Sequence, residues 1–294
     1  MRTGFLLTTS ILLDAVLSVV NFLVAIDGGS RIVLSQAVYV AADMVGIAML
    51  SWGFLASRRP PDIDHPFGYG KERFFWAFTA SLVTFSLAGL GVFITGLEQT
   101  VAPHPPGQIG LALVVVGATL AASLVGVYLV LRELRAGQRS VQSFLESAQL
   151  SIKTVFYQDI VSSVGSALAF GGLLLVDRTD NGVVDGIFAC GLGLLMLLTG
   201  FILAAESRSL LVGQSISRQE AGRVLAVVER DPRVRSVRGI QSMLLGPDDA
   251  LVALRLNFQD GLTTDEIERV IDDLSAAVRR ETPVVRHLVI EPES

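Results

Sequence analysis

Six stretches of the chain, at about residues 5–26, 32–56, 73–98, 108–132, 150–176 and 183–205, are long and almost wholly apolar. An α-helix rises 1.5 Å per residue, so roughly 20 apolar residues cross the ~30 Å hydrocarbon core of a bilayer. Six such runs in one chain predict an α-helical membrane protein with six transmembrane helices, both termini lying on one side. Composition agrees: charged residues are 17% and hydrophobic residues 51%, with a mean hydropathy of +0.57, where a soluble domain carries charge at about a quarter of its positions. The first run reaches a spanning length and is not followed by a small-residue cleavage site, so it reads as a helix and not as a removed signal.

Lys and Arg fix the expected orientation. Arg58, Arg59, Lys71 and Arg73 follow the second run, and Arg132, Arg135 and Arg139 follow the fourth, whereas the opposite loops hold only Arg31 and Arg178. By the positive-inside rule both termini and the 58–76 connector are cytoplasmic, and a cell (inner) membrane is the expected location. The net charge of −5 and a pI near 5.3 exclude a basic track for nucleic acid. The single cysteine, Cys190, leaves no intrachain disulfide and no cysteine-based metal site.

The composition changes after Gly213, with about half of the chain's charged side chains beyond it. The expected division is a transport domain at 1–213 and a cytoplasmic domain at 214–294. Ser217 with Glu220 forms a capping box ahead of Ala221, Val224, Leu225 and Val228, and Thr263 with Glu266 caps a second helix bearing Ile267, Val270, Ile271, Leu274 and Val278. "ALVALRLNF" alternates as a strand, "GPDD" is a turn leading back to a strand over 234–244, and "RHLVIE" is a third. The order predicts a small ferredoxin-like αββαβ domain with helices on one face of the sheet. A core of about 80 residues is marginal alone, which favours a homodimer.

Charges within the spans carry the chemistry. A carboxylate at mid-bilayer costs roughly 2.5–3.5 kcal/mol on insertion scales. Asp43 lies in the second run with Gln36 and Tyr39 on its face, and Asp159 lies in the fifth with Gln158 beside it and Val155, Ser162 and Ser163 close to its face. Converging, the two carboxylates would neutralise a divalent cation, and without the cation at least one would hold a proton, so metal and protons would compete for one site. The alternative is that each aspartate bonds to hydroxyls of a neighbouring helix and fixes packing. Asp14 and Asn21 read as interhelical polar contacts, Asp185 as an N-cap or first-turn residue, and Gly89, Gly91, Gly191, Gly193 and Gly200 as points of close helix approach.

"RRPPDIDHPFGYGKERF", at 58–74, resembles the connector between the second and third helices of the cation diffusion facilitator family. The resemblance extends along the whole chain, to "GPDDALVALRLNF" and "VIEPES". It implies a dimeric divalent-metal transporter, not an enzyme, with no resident cofactor: the metal ion is cargo, exchanged against protons and exported from the cytoplasm by alternating access across the lipid bilayer. The family's helix-two ligand pair falls on Tyr39 and Asp43 and its helix-five pair on Val155 and Asp159. Valine cannot ligate, so the expected set is Asp43, Asp159, Tyr39 and Gln158. All of its donors are oxygens, which suit manganese or iron(II), while family membership favours zinc. A second possible metal site in the connector falls on Asp62, His65, Asp64 and Tyr69; the bland reading is a tight turn that sets Lys71 over the membrane surface. His287 is the only histidine of the C-terminal domain, so a sensing cluster there is not expected. Val155 motivates the other functional reading, a family-like protein that no longer transports and serves as a structural or regulatory partner.

Overall fold

The computed structural model describes residues 30–105, 109–136 and 150–293, together with Val16 and residues 19–24. Side chains of residues 43, 84, 85, 129, 130, 133–136 and 150–159 lie outside the described set. Most of the expected first span, including Asp14, falls outside it as well.

Five helices among the described residues are long and apolar enough to cross a membrane. They are α1 (Arg31–Ala56), α2 (Glu72–Val101), α3 (Ile109–Ala136), α4 (Leu150–Thr179) and α5 (Gly182–Val212), matching the second to sixth apolar runs. Within α2, Ser81–Leu87 forms a π-helical segment, which the sequence pattern did not signal. Helix α1 ends at Ala56, ahead of the Pro60–Pro61 pair, as expected where two residues cannot continue the hydrogen-bond ladder.

The described residues within 1–51 and 77–205 form one compact unit. Its core is a single apolar cluster that includes Ile32, Val33, Ala37, Val116, Ala169, Leu173, Val176 and Met196. Helices α2 and α5 approach closely through glycine. A Cβ on Gly89 would lie 2.9 Å from Met196 Cβ, and one on Gly193 2.6 Å from the Phe93 amide nitrogen. Gly96 meets the Cys190 backbone nitrogen and Sγ in the same way, at 2.6 and 2.8 Å. The expectation for Gly91 is corrected, since a Cβ there would meet nothing within 4 Å. A Cβ on Gly191 would meet Leu168 Cδ2 at 3.3 Å, closer than an ordinary contact, so the leucine tip would have to give by a few tenths of an ångström.

Trp52–Trp76 packs with Glu206–Ser294 as the second unit. There α6 (Arg218–Glu229), β1 (Val234–Gly246), β2 (Asp249–Phe258), α7 (Thr264–Glu281) and β3 (Val285–Pro292) follow in the expected αββαβ order. Strand β2 is central, antiparallel to β1 with Ser242 opposite Val252, and parallel to β3 with Leu254 opposite Ile290. The alternation of β2 places Val252, Leu254 and Leu256 wholly inside, against Val224 and Val228 of α6 and Val270, Leu274 and Val278 of α7. Both capping boxes form: Ser217 accepts from the Glu220 amide at 3.2 Å, and Glu266 accepts from the Thr263 amide at 2.8 Å. The backbone bond to Thr263 is the main reason the Glu266 carboxyl sits below the usual range.

Candidate functional site

The face of α1 that carries Asp43 is buried higher up the helix. Gln36 is 1% exposed and Tyr39 4% exposed. The Gln36 Nε2 donates to Ser166 Oγ of α4 at 3.0 Å, while Gln36 Oε1 is buried and has no hydrogen-bond partner among the described residues. Leaving such an acceptor unsatisfied costs about 1–3 kcal/mol. Asp43 belongs to α1, and Val155, Gln158 and Asp159 belong to α4; the side chains of these four lie outside the described residues.

Other polar groups line the same bundle. Ser123 of α3 and Ser162 of α4 share a hydrogen bond of 2.9 Å. Asn21 donates to Thr119 Oγ1 of α3 at 3.0 Å, an interhelical contact of the kind expected for that residue. Ser166 was missed by reading outward from Asp159 for one turn only. It lies seven residues beyond, and seven residues are two helical turns, which return to the same face.

Asp185 is in the first turn of α5, but its carboxylate serves another helix. Oδ2 accepts from the Arg31 amide at 2.7 Å, and Oδ1 from Ser30 Oγ at 2.6 Å and the Ile32 amide at 3.1 Å. The carboxylate is wholly buried and closes the N-terminus of α1, where unpaired amides and the helix dipole favour negative charge. Its first-turn position is the expected one; its partners on α1 come from tertiary packing, which the sequence did not signal.

In the connector, Asp62, His65 and Tyr69 come together. Asp62 Oδ1 accepts from the His65 amide at 2.7 Å and lies 3.4 Å from His65 Nδ1, and Tyr69 donates to Asp62 Oδ2 at 2.7 Å. The rings of His65 and Tyr69 stand 4.2 Å apart. The Tyr69 hydrogen bond, followed by the His65 amide, holds the Asp62 carboxyl below the usual carboxylate range, and the same bond raises the Tyr69 phenol. Tyr69 thus keeps its proton near neutrality and acts as a donor to Asp62. Asp64 is exposed and adds negative charge near Tyr69. Among the described residues no group of three or more His, Cys, Asp or Glu is arranged to hold a metal ion, so Asp62 and His65 form at most a two-residue start on one.

The turn at 65–68 closes by the Gly68 amide donating to the His65 carbonyl at 2.9 Å, with Gly68 at φ +76°. The tight turn expected there is present. Lys71 Nζ lies 3.5 Å from the Leu211 carbonyl oxygen, at the end of α5, and 3.7 Å from Met243 Sδ of β1. Donation to an end-of-helix carbonyl favours a cation at the negative end of the dipole. A Cβ on Gly70 would collide with the Leu245 carbonyl oxygen, and Phe67 packs edge-on against His287, ring centroids 5.2 Å apart. The connector therefore docks on β1 and β3. His287 Nε2 lies 3.6 Å from Asp249 Oδ1.

Comparison with known proteins places these features. Residues 7–212 match the cation efflux transmembrane domain family. Metal tolerance protein C4 of Arabidopsis thaliana is 26% identical over 234 residues, covering 78% of this chain and 51% of that protein. The mitochondrial proton-coupled zinc antiporter SLC30A9 of Homo sapiens is 23% identical over 282 residues, covering 91% and 50%. The cation-efflux pump FieF of Klebsiella pneumoniae is 24% identical over 250 residues, covering 85% and 78%. The chain thus spans about half the length of the first two relatives. Among solved structures, MamM-CTD 215-293 is 20% identical with a TM-score of 0.25, covering 26% of this chain and 95% of that one. With the family match running through every described span, the chain belongs to the cation efflux family, the cation diffusion facilitators.

Proposed function

We propose that the protein is a divalent cation/proton antiporter that exports zinc, manganese or iron(II) from the cytoplasm by alternating access as a homodimer. Asp43 and Asp159 bind the ion and exchange it for protons, and Tyr39 and Gln158 complete or shape the shell. The observation that carries this reading is the hydrogen bond from Gln36 to Ser166. Consecutive spans alternate in direction, so α1 and α4 run antiparallel, and facing positions along them keep a constant sum of residue numbers. Seven residues from Gln36 is position 43, and seven residues back from Ser166 is position 159. Seven residues is within about 20° of two full turns. Both aspartate positions therefore fall at one level, on the faces that Gln36 and Ser166 already bring into contact, about 10 Å further along. Positions 39 and 163 fall on the rung between.

Two relatives support the class of cargo: one is named a proton-coupled zinc antiporter, the other a cation-efflux pump. The test is metal-dependent proton flux in proteoliposomes, with zinc, manganese, iron(II), cobalt and magnesium supplied in turn, beside Asp43→Ala and Asp159→Ala. Flux with some of these ions that disappears in both variants is the expected result. No flux with any ion, from folded protein, would favour the non-transporting partner that Val155 suggests. Transport by the double alanine variant would remove the site assignment.

A further inference from the structure

The Gln36 carboxamide has one end occupied and one end vacant. Nε2 is committed to Ser166 Oγ, and Oε1 is a buried acceptor without a donor among the described residues. Both side chains are sealed from solvent. On the Arg31 side of this rung, Ile32, Val33, Leu173 and Val176, all wholly buried, form a continuous apolar stretch of the core. The polar groups at that end of α1 are already paired: the Asp185 carboxylate accepts from Ser30, Arg31 and Ile32, and the Ser35 hydroxyl donates to the Arg31 carbonyl. Toward the other end the next rung is Tyr39, and beyond it position 43. Among the described residues of α1 and α4, Gln36 therefore carries the one buried side-chain oxygen without a partner between the aspartate positions and the apolar stretch, on the side that the Lys/Arg-poor loops mark as extracytoplasmic.

We propose that Gln36 Oε1 and Ser166 Oγ form a neutral, low-affinity subsite that receives the divalent cation, with part of its water shell, as it leaves the aspartate pair. The inference rests on the antiport reading above. Two carboxylates hold a dication tightly in a medium of low dielectric, and departure directly into an apolar plug would strip the ion of every oxygen. An amide carbonyl and a hydroxyl replace part of that shell without adding charge, so they ease the ion forward without trapping it. Neutral oxygens of this type are suitable ligands for manganese, iron(II) and, with water, zinc.

Gln36→Met keeps the volume and removes the oxygen, Gln36→Glu keeps the shape and adds a charge, and Ser166→Ala removes the hydroxyl with the least disturbance of packing. Zinc and manganese binding are measured by titration in detergent, and flux is measured in proteoliposomes. The expected result for Gln36→Met is binding within about twofold of wild type, maximal flux lower by about tenfold, and an unchanged KM. Gln36→Glu should lower KM and maximal flux together, because the added charge retains the ion. Ser166→Ala should follow Gln36→Met in direction, and it stands in if Gln36→Met does not fold. Wild-type flux in Gln36→Met or Ser166→Ala would overturn the subsite, as would a Gln36→Glu variant that behaves like Gln36→Met, since that is the signature of packing alone. Failure of the parent reading has a separate mark: Asp43→Ala would retain both binding and flux.

Discussion

The Asp185 carboxylate of α5 accepts a 2.7 Å hydrogen bond from the Arg31 amide at the start of α1. One span thus closes the end of another, and with Ser30 and Ile32 the carboxylate has a donor for each oxygen. Asp185→Ala leaves these donors unpaired in a buried place and should cost about 1–3 kcal/mol. Its thermal midpoint in detergent should fall further than that of Ser30→Ala, which removes one donor and leaves the carboxylate two backbone amides. Equal midpoints for Asp185→Ala and wild type would show that the cap does not hold α1.

Gly96 should tolerate no side chain. Gly96→Ala places a Cβ against the Cys190 backbone and Sγ, forcing α2 and α5 apart, at a cost of about 1–3 kcal/mol typical of overpacking. Gly91→Ala is the control, because space is open there, and a helix-interior alanine is worth roughly 0.5–1 kcal/mol over glycine. Thermal unfolding of both in detergent decides the matter: the first should lose stability and the second should not.

Gly70→Ala should loosen the connector from β1, since the new Cβ meets a carbonyl oxygen that cannot move without breaking strand register. Proteolysis between Arg58 and Arg73 should speed up while the β2 amides keep their hydrogen-exchange protection. Loss of protection in β2 as well would mean that the connector is part of the domain's folding core.

The Asp62 carboxyl is lowered chiefly by Tyr69 and then by the His65 amide. A carboxyl whose folded pKa is depressed adds stability at neutral pH, and that contribution is lost as pH falls through the depressed value. Tyr69→Phe removes the larger cause, so the Asp62 titration should move up toward the ordinary carboxylate range and the connector turn should loosen at a higher pH than in wild type. Carbon-detected NMR of the Asp62 carboxyl reads this directly, and an unmoved titration would refute the Tyr69 contribution.

Much of this molecule was legible from pattern alone. Long apolar runs leave no choice but spanning helices, and five of the six expected are present among the described residues. The period-2 run of β2 and the two capping boxes are equally local signals, and the αββαβ order followed from them. The family resemblance, carried by the connector motif, is borne out by the match over residues 7–212.

What the sequence determined by itself was everything decided within a few turns of one element: which segments span, which face of a helix is apolar, where a helix begins. The partner of Asp185, the contact of Gln36 with Ser166, the docking of Gly70 on Leu245 and the direction of Lys71 are relations between positions 130 to 175 residues apart. No local propensity encodes them. A buried donor or acceptor takes whichever complementary group packing brings within about 3 Å, so only the tertiary structure could assign these partners, because only there are the competing groups brought within reach or shut out.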